Sequence, residues 1–295
     1  MKEKILVTGG SGMLGSEIIK LLNKKGYQTA LLSRNKNLKN AFYWDYKKGE
    51  LDKEALEFAD IIIHLAGENI SRKRWTKAQK KEIYESRIQS TKFLYSQIKE
   101  TGLMPEKIIS ASAIGYYGTK TSDKIFEEED LPGNDFLSLV VKDWEDEVNK
   151  FHRLGIPNLI YRIGVIFTPK QAALKEMRKT LKFKLAFPLG SGKQYLAWVS
   201  LTDAARAFVY GIENKNMKGV YNLVSPYPIQ QADLLKFLAK QEKAFYLPVS
   251  LPGSLLYLLK GEMASIILEG SRVSAHKLLS KGFQYQQPKI KDLFI

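Results

Sequence analysis

Short apolar runs alternate along the chain with longer segments whose apolar residues recur every three or four positions. The first such pair is the run Lys4–Val7 followed by a segment from Met13, in which Ile18 and Leu22 share one side of a helix. Gly26 follows the last apolar position and is expected to end that helix. The opening of the chain therefore predicts a strand, a tight turn and a helix.

The same alternation continues and predicts further strands and helices. The strands are expected at Gln28–Leu32, Phe42–Trp44, Asp60–Gly67, Lys107–Ser112, Leu159–Phe167 and Val220–Val224. The helices are expected at Leu51–Phe58, Thr76–Lys99, Phe136–Leu154 and from Leu201 onward, with Thr76 and either Thr202 or Asp203 as N-caps. Because fully apolar strands are typical of a parallel sheet covered on both faces, the predicted fold class is α/β, a doubly wound and mostly parallel sheet of the Rossmann type.

The alternation loosens in two stretches that are richer in proline and lysine. We expect these stretches to form a smaller C-terminal substrate lobe over the carboxyl edge of the sheet. The predicted domains are a dinucleotide-binding domain of residues 1–167 plus 201–225 and a substrate-binding lobe of residues 168–200 plus 226–295. A cleft between two such lobes is a usual place for a substrate.

Three spaced glycines, Gly9, Gly12 and Gly15, lie between the first predicted strand and helix. In a dinucleotide-binding turn the first glycine permits the turn, the second lets a diphosphate approach the backbone, and the third lets the helix pack closely on the strand. The diphosphate would bind unpaired N–H groups at the amino end of the helix, which includes Met13 and Leu14. The alternative is a plain strand-to-helix turn, but the position of the trio is the context that nucleotide binding requires.

The end of the second predicted strand bears on the choice of cofactor. A protein that prefers NAD usually has a carboxylate there, which accepts a hydrogen bond from the ribose 2′-hydroxyl. This chain has Ser33 and Arg34 instead. Because a hydroxyl and a guanidinium suit a 2′-phosphate, we expect NADP as the cofactor, with NAD as the alternative. The competing interpretation of Arg34 is an ordinary surface residue in the following turn.

Small and hydroxyl-bearing residues end the fourth and fifth predicted strands, at the edge where doubly wound folds bind their ligands. Leu65, Ala66 and Gly67 would let a cofactor lie against the backbone. The candidate groups for cofactor contact and for chemistry on the neighbouring strand are Ser110, Ser112, Tyr116 and Tyr117. Serine is common at strand ends without any function and tyrosine often only packs, so both interpretations stay open.

Composition narrows the classes of function. The chain has no cysteine, which excludes a disulfide framework and a thiolate metal site, and its three histidines are far apart, so no metal site is expected. No apolar run approaches the roughly 18 residues that a membrane span requires, and the first predicted strand leaves no room for a signal peptide. We therefore expect a cytoplasmic protein without a membrane partner.

The charge balance is strongly basic, with 46 Lys and Arg against 31 Asp and Glu and a formal net charge of +15. Much of the excess lies in residues 72–92 and 170–193, which are expected to be solvated basic faces. A field of this sign favours a phosphorylated or nucleotide-linked small molecule as substrate. No nucleic-acid partner is expected, and the chain is expected to be a monomer or a homodimer.

Several of these segments resemble the extended short-chain dehydrogenase/reductase superfamily, which includes the nucleotide-sugar epimerases and dehydratases. The segments that carry this likeness are Thr8–Gly15, His64–Gly67 and Ser110–Ser112. The chain as a whole looks like the branch called NAD-dependent epimerase/dehydratase, whose members are also labelled nucleoside-diphosphate-sugar epimerases or SulA-type cell-division inhibitors. The segments that carry this narrower likeness are Leu65–Ile70, Lys73–Thr76, Ser86–Arg87, Gly115–Gly118, Trp144–Glu145, Gly190–Trp198, Tyr221–Pro226 and Gly282–Phe283.

The resemblance implies a catalytic set of Ser or Thr together with Tyr-x-x-x-Lys, in which the tyrosine exchanges a proton with the substrate and the serine holds the substrate oxygen. Ser112 matches the serine. The tyrosine does not match, because Ser138 stands four residues before Lys142. Tyr117 or Tyr116 is therefore expected to act as the surrogate acid.

A second departure is Arg87 on the long helix, near a position that asparagine usually holds in the superfamily. The residues expected to bind substrate are Glu68, Trp75, Arg87, Gln194, Tyr195 and Trp198, each with core packing as its alternative. The predicted activity is hydride transfer to or from a sugar-like or carbonyl substrate by an NADP-dependent oxidoreductase or epimerase. The rival hypothesis, favoured by the missing Tyr-x-x-x-Lys pair, is a catalytically inactive NADP-binding regulator or sensor that acts through a protein partner.

Overall fold

The computed structural model describes residues 2–169, 174, 177–178 and 180–294, so part of the predicted basic face at 170–193 lies outside the described residues. The strands are β1 Lys4–Thr8, β2 Gln28–Ser33, β3 Ala41–Asp45, β4 Glu50–Leu51, β5 Ile61–His64, β6 Lys107–Ala113, β7 Ile125–Phe126, β8 Asn158–Ile163, β9 Val165–Thr168, β10 Leu185–Ala186, β11 Tyr195–Leu196, β12 Trp198–Ser200, β13 Gly219–Leu223, β14 Ile229–Gln230, β15 Phe245–Tyr246 and β16 Arg272–Val273. The helices are α1 Met13–Lys24, α2 Glu54–Phe58, α3 Lys77–Thr101, α4 Phe136–Asn149, α5 Leu201–Glu213, α6 Gln231–Gln241, α7 Gly253–Lys260, α8 Ser265–Leu268 and α9 His276–Ser280. Single 3₁₀ turns are found at Ile114–Tyr117, Lys150–Leu154, Thr180–Phe183, Gly261–Ala264 and Ile290–Phe294.

An eight-stranded sheet forms the centre of the fold, in the order β13–β8–β6–β5–β1–β2–β3–β4. Every neighbouring pair is parallel except the edge pair β3 and β4. The chain leaves β1 towards β2 on one side and returns as β5 on the other, which makes the carboxyl end of β1 the topological switch point of the sheet. The predicted doubly wound α/β fold is confirmed.

The sheet is covered on both faces, which is why its central strands contain apolar runs such as Ile5–Val7 and Ile61–Ile63. Ile5 and Val7 of β1 pack in one cluster with Ile18 of α1. Leu6, which points to the opposite face, packs in a second cluster with Leu94 and other residues of α3. Both faces of β1 are thereby packed against helices up to the residue before Thr8.

The predicted helix starts are right for α1, α3 and α5, whereas the predicted N-cap is right for α3 and wrong for α5. Thr76 caps α3 as expected, since its hydroxyl oxygen accepts from the Gln79 backbone N–H at 3.2 Å. The cap of α5 is Ser200, whose hydroxyl accepts from the Asp203 N–H at 2.9 Å, rather than Thr202 or Asp203. The periodic pattern locates this helix, but it does not distinguish adjacent hydroxyl and carboxyl side chains as caps.

The strand predicted over residues 159–167 is broken at Gly164. A Cβ on this glycine would lie 2.6 Å from the Ala197 carbonyl oxygen, so the approaching backbone requires glycine there. Beyond Gly164 the chain leaves the main sheet, and β9 pairs in parallel with β12. An apolar run does not reveal this change of partner, because apolar residues continue from the end of β8 into β9.

Two predicted helices are shorter than expected. Leu51 belongs to β4, where it pairs with Trp44 of β3, so α2 begins only at Glu54. The helix predicted over residues 136–154 ends at Asn149 and continues as a 3₁₀ turn to Leu154.

The second half of the chain adds a separate hydrophobic cluster beside the sheet. Phe167 and Trp198 stack at its centre with their ring centroids 5.5 Å apart, and Leu234 and Leu238 of α6 pack against them. These residues fall in or beside the segments predicted to form the substrate lobe. The division into 1–167 plus 201–225 and 168–200 plus 226–295 stays a prediction.

Candidate functional site

The turn between β1 and α1 is built from backbone alone. Gly9 has a left-handed φ of 66°, and a Cβ there would lie 2.9 Å from the Leu65 carbonyl oxygen. A Cβ on Gly15 would lie 2.5 Å from the Gly9 carbonyl oxygen and 2.7 Å from the Gly10 Cα. A Cβ on Gly12 would meet the Gly9 carbonyl oxygen at 3.2 Å and otherwise project into open space. Gly9 and Gly15 are thus required by packing, whereas Gly12 leaves room outside the turn.

The amino end of α1 presents uncapped backbone N–H groups. Within the described part of the chain no side chain caps this helix, and its first turn holds no acidic residue. The N–H groups of Met13, Leu14 and Gly15 have no partner inside an α-helix because they belong to its first turn. Together with the helix dipole they form a place where an anion such as a diphosphate is stabilised.

A buried histidine ties the ends of β1 and β5 to α3. The Leu65 and Ala66 N–H groups both donate to Thr8 Oγ1 at 3.0 Å, so the Thr8 hydroxyl hydrogen is directed to His64 Nδ1, 2.9 Å away. On the other side His64 Nε2 lies 2.9 Å from Thr91 Oγ1, which itself donates to a carbonyl one turn earlier in α3. These contacts fit a neutral ring that carries its proton on Nε2. The histidine fixes the strand ends rather than binding a metal or a ligand.

Burial lowers the pKa of His64 to about 4, from an ordinary value of 6.5. The unfolded chain therefore takes up the proton first as the pH falls. The stability that the neutral ring contributes is complete above its unfolded pKa and is lost as the pH drops towards the folded pKa. We expect the titration of His64 alone to lower the free energy of unfolding by about 2 kcal/mol as the pH falls from about 7 to about 5. Urea denaturation at the two pH values measures this change.

The variant His64→Gln separates this effect from the titration of carboxylates, because glutamine does not take up a proton in this range. Between about pH 7 and pH 5 its free energy of unfolding should therefore decrease by about 2 kcal/mol less than that of the wild type. Equal pH dependence in the two proteins would show that His64 does not titrate as expected.

Ser33 ends β2 beside the glycine turn and Arg34 follows it, as the sequence predicts. The Ser33 hydroxyl oxygen accepts from the Asn35 N–H at 3.0 Å, which leaves its hydrogen free to donate. Arg34 is exposed and makes no hydrogen bond or salt bridge with the described residues. Both side chains are therefore available to an anionic group.

A buried polar network lies at the carboxyl ends of β6 and β8. Arg162 of β8 pairs with Glu145 of α4 through Nε–Oε1 and Nη2–Oε2 bonds of 2.9 and 2.8 Å. Ser112 donates to the same Glu145 Oε1 at 2.5 Å. Arg162 Nη1 also donates to the Tyr117 hydroxyl at 3.0 Å, and that hydroxyl donates to Asn222 Oδ1 at 2.6 Å. Two residues predicted to be catalytic, Ser112 and Tyr117, are thereby connected through one charged pair.

The two candidate acids have different surroundings. Tyr117 is buried, and burial raises its pKa despite the opposing effect of Arg162. Tyr116 is partly exposed, and its ring stacks on the Arg162 guanidinium with 3.4 Å between Cζ and the ring centroid. No described residue forms a hydrogen bond with the Tyr116 hydroxyl. Tyr116 is therefore the more available proton donor of the two.

Arg87 lies beside the end of β5. A Cβ on Gly67 would lie 3.1 Å from its Cζ, and the same Cζ lies 5.3 Å from the Trp144 ring centroid. Its Nη1 donates to the Ile83 carbonyl at 3.0 Å, and it makes no salt bridge with the described residues. Burial lowers the pKa of Arg87 to about 10, and the Glu68 carboxylate acts in the opposite direction. An anionic group bound at this strand end would neutralise it.

Two tryptophans predicted to line the substrate pocket are core residues. The Trp75 Nε1–H donates to the Ile70 carbonyl at 2.7 Å, and its ring is buried. Trp198 is fully buried in the stack with Phe167, and its Nε1–H donates to the Tyr227 carbonyl at 3.1 Å. Neither side chain has a free polar group or an open ring face for a substrate, so their predicted role does not fit their position.

Gln194 and Ser110 are also occupied internally. The Gln194 amide donates to the carbonyls of Leu189 and Ile267 at 3.1 and 3.0 Å, and the side chain is fully buried. The buried Ser110 hydroxyl donates to a neighbouring backbone carbonyl at 2.9 Å. Tyr195 stays partly exposed. Of these three predicted ligand contacts, only Tyr195 keeps accessible surface.

Sequence reasoning missed Arg162 and Asn222 and did not recognise the role of Glu145. A signal was present, because Arg162 interrupts an otherwise apolar strand and a charge buried in a sheet must be paired. Glu145 likewise shares the buried side of α4 with Val141 and Val148. The sequence does not indicate that these two charges meet.

Two further kinds of site can be checked over the described ranges. No group of three or more His, Cys, Asp or Glu side chains there is arranged to hold a metal ion. None of the helices among those residues is both long and apolar enough to cross a membrane.

Comparisons with known proteins agree on one family. Residues 5–137 match the model of the NAD dependent epimerase/dehydratase family, and residues 251–294 match a domain of unknown function, DUF1731. An epimerase family protein of Staphylococcus aureus (strain MRSA252) is 31% identical over 294 residues, which cover 98% of this chain and 97% of that protein. An epimerase family protein of Mycobacterium bovis is 31% identical over 288 residues, or 97% and 94% of the two chains. A human epimerase family protein crystallised with NADPH superposes with a TM-score of 0.86 at 26% identity, covering 98% of this chain and 97% of that one.

Proposed function

This chain belongs to the NAD dependent epimerase/dehydratase family, and we therefore propose that it is an NADP(H)-binding oxidoreductase or epimerase of the extended short-chain dehydrogenase type. The observation that carries the proposal is the glycine turn that packs against the end of β5 and leaves the amino end of α1 uncapped. When bound, the nicotinamide cofactor would supply or accept a hydride at a sugar-like or carbonyl carbon. The substrate is proposed to be a small molecule with a phosphate or a linked nucleotide.

The residues of the crevice fit a dinucleotide. The first-turn N–H groups of α1 would hold the diphosphate, and the absence of a Cβ at Gly12 leaves the outer side of the turn open to it. Ser33 and Arg34 would hold the 2′-phosphate of NADP, since one donates a hydroxyl hydrogen and the other carries an exposed guanidinium. This fit supports NADP over NAD, which is the alternative.

Ser112 and Tyr116 are proposed to handle the substrate oxygen and its proton. Because Glu145 takes the Ser112 hydroxyl hydrogen, the Ser112 oxygen is left to accept a hydrogen bond from a substrate hydroxyl. Tyr116, held by its stack on Arg162, would exchange the proton. Arg87, unpaired among the described residues, would bind an anionic part of the substrate or of the cofactor.

The assignment of the proton donor is tested by comparing two phenylalanine variants. NADPH turnover is measured with an aldehyde, ketone or sugar nucleotide that the wild-type protein converts. Tyr116→Phe should lower this turnover by at least about tenfold, because it removes the proposed proton donor. Tyr117→Phe should change turnover less and instead lower thermal stability, because Arg162 and Asn222 lose their shared partner. The reverse order of effects on turnover would transfer the role to Tyr117.

Cofactor choice is tested with Arg34→Glu. Replacing the guanidinium by a carboxylate should weaken NADPH binding by about tenfold or more and leave NADH binding unchanged or improved, because the new charge repels the 2′-phosphate. Fluorescence titrations of wild type and variant with both nucleotides measure this directly. Lys48→Glu, an equal change of charge on an exposed turn, is the matched control, and a similar loss in both variants would remove Arg34 from the site.

The rival function is an NADP-binding regulator without activity. This hypothesis is supported by the hydrogen bonds that the Ser112 and Tyr117 hydroxyl groups donate within the protein, to Glu145 and Asn222. Tight NADPH binding with no turnover across alcohols, carbonyl compounds and sugar nucleotides would favour the regulator. Failure to bind either nucleotide would refute both functions.

A further inference from the structure

The C-terminal half of the chain carries an apolar face that the described residues leave uncovered. We call this face the apolar edge, and it consists of Phe183, Leu185, Phe245, Leu247 and Val249. Their side chains are 81%, 39%, 75%, 42% and 73% exposed. Leu185 lies directly opposite Phe245 in the parallel pair β10–β15, and the Leu247 N–H donates to the Ala186 carbonyl at 2.8 Å. Leu185 and Phe245 therefore lie side by side, and Leu247 follows two residues later on the same segment as Phe245. Phe183 lies two residues before Leu185 along the chain, and Val249 lies two residues after Leu247.

The helix that follows the apolar edge in the chain is also apolar on its outer side. Leu255, Leu258 and Leu259 of α7 have the i, i+3, i+4 spacing of one helical stripe and are 40%, 73% and 61% exposed. Leu256, on a different side of the same helix, packs against Leu268. A helix that is apolar on its inner and outer sides is expected to be covered on both.

Exposed large apolar side chains are more concentrated in these segments than on the rest of the described surface. Nine of its sixteen exposed large apolar side chains lie within residues 183–185 or 245–259. Single exposed apolar residues need no explanation, but a contiguous group of them marks an interaction surface.

The charges around these segments identify the kind of partner. Exposed lysines interrupt or flank them at Lys184, Lys240, Lys243 and Lys260. The one acidic residue within 240–260 is Glu242, which is paired with Arg178. The whole chain has a net charge of +15. A second copy of this chain would place like charges against each other across the face, which disfavours self-association.

We propose that the apolar edge and α7 dock onto the surface of an anionic lipid bilayer. Phenylalanine and leucine side chains would enter the interface between head groups and acyl chains, while the lysines contact anionic head groups. A helix long enough to cross the membrane is not needed for this mode of binding, which the expectation of no membrane partner did not consider. The proposal is independent of the proposed catalytic function.

Co-sedimentation of the full-length protein with vesicles tests the proposal. Vesicles of mixed phosphatidylcholine and phosphatidylglycerol should pellet the protein, whereas pure phosphatidylcholine should not. The double variant Phe183→Ser/Phe245→Ser should bind the mixed vesicles at least about tenfold more weakly, because two exposed aromatic anchors are lost. The charge variant Lys240→Glu/Lys260→Glu should show a loss of similar size, and salt should weaken wild-type binding.

Matched variants separate the face from general changes of surface. Leu131→Ser removes an apolar side chain that is 84% exposed elsewhere, and Lys48→Glu/Lys218→Glu makes the same change of charge at other exposed sites. Both should bind vesicles as the wild type does, and circular dichroism should show that all variants are folded. The proposal is overturned if the wild type binds neither vesicle, if it binds both equally, or if the control variants lose as much binding. A dimer in light scattering that Phe183→Ser/Phe245→Ser dissolves, without vesicle binding, would assign the face to a second copy instead.

Discussion

Glu145→Ala is expected to lower the free energy of unfolding by about 3–5 kcal/mol. The change leaves the Arg162 guanidinium buried without a counter-charge, although Arg162 keeps its bonds to the Tyr117 hydroxyl and the Glu128 carbonyl. It also leaves the Ser112 hydroxyl without its acceptor. Chemical denaturation in urea, with the wild type under the same conditions, measures the loss.

The matched experiment removes both charges. Glu145→Leu/Arg162→Met should recover most of the stability that Glu145→Ala loses, because no unpaired charge remains in the interior. Lys142→Ala, which breaks an exposed pair with Asp146 on the same helix, should lower the free energy of unfolding far less than Glu145→Ala does, because solvent screens an exposed pair. Equal losses for Glu145→Ala and Lys142→Ala would mean that the buried network is solvated in the folded protein.

The double variant also separates stability from function. If it is stable but has lost turnover while it keeps NADPH binding, the pair acts on Ser112 and Tyr116 rather than on the fold. Stable protein with unchanged turnover would confine the pair to a structural role, and the proposed orientation of Ser112 would be wrong.

The fold could be predicted because its signals are local. The turn at Gly9 and Gly15 and the apolar faces of α1 and α3 each depend on residues within about one helix length of each other. The order of the sheet follows from right-handed crossovers between parallel strands, which leaves few arrangements for this alternation. The break at Gly164 was not predictable in the same way, since it depends on the approach of Ala197 from another part of the chain.

Only part of the candidate site could be predicted from the sequence. Ser112 and Tyr117 were identified by their position at a strand end, but the pairing of Tyr117 with Asn222 joins residues 105 positions apart. Family likeness indicated the segments that contain Gln194 and Trp198, yet likeness does not say which side of the backbone faces the cleft. In both cases burial places the side chain in the interior. Long-range pairing and side-chain direction are set by tertiary packing, which leaves no mark in local sequence.

Gly15→Val is expected to weaken NADPH binding by more than about 100-fold, because small displacements of positioning groups are costly. A Cβ at this residue would lie 2.5 Å from the Gly9 carbonyl oxygen, so the turn and the first N–H groups of α1 must move apart. This oxygen and the Gly10 Cα, which would lie 2.7 Å from the same Cβ, are backbone atoms that cannot rotate away as a side chain could. The same change should lower the free energy of unfolding by about 1–3 kcal/mol, as overpacking does.

Gly12→Ala is the informative control, since its Cβ would point mainly into open space at the outer side of the turn. It should leave the free energy of unfolding nearly unchanged and still weaken NADPH binding, because the methyl group occupies the side from which the diphosphate approaches. Isothermal titration with NADPH and urea unfolding measure the two quantities separately. If Gly12→Ala binds NADPH as tightly as the wild type, the diphosphate does not approach this turn. If Gly15→Val does so as well, the amino end of α1 is not the cofactor site and the proposed function loses the observation that carries it.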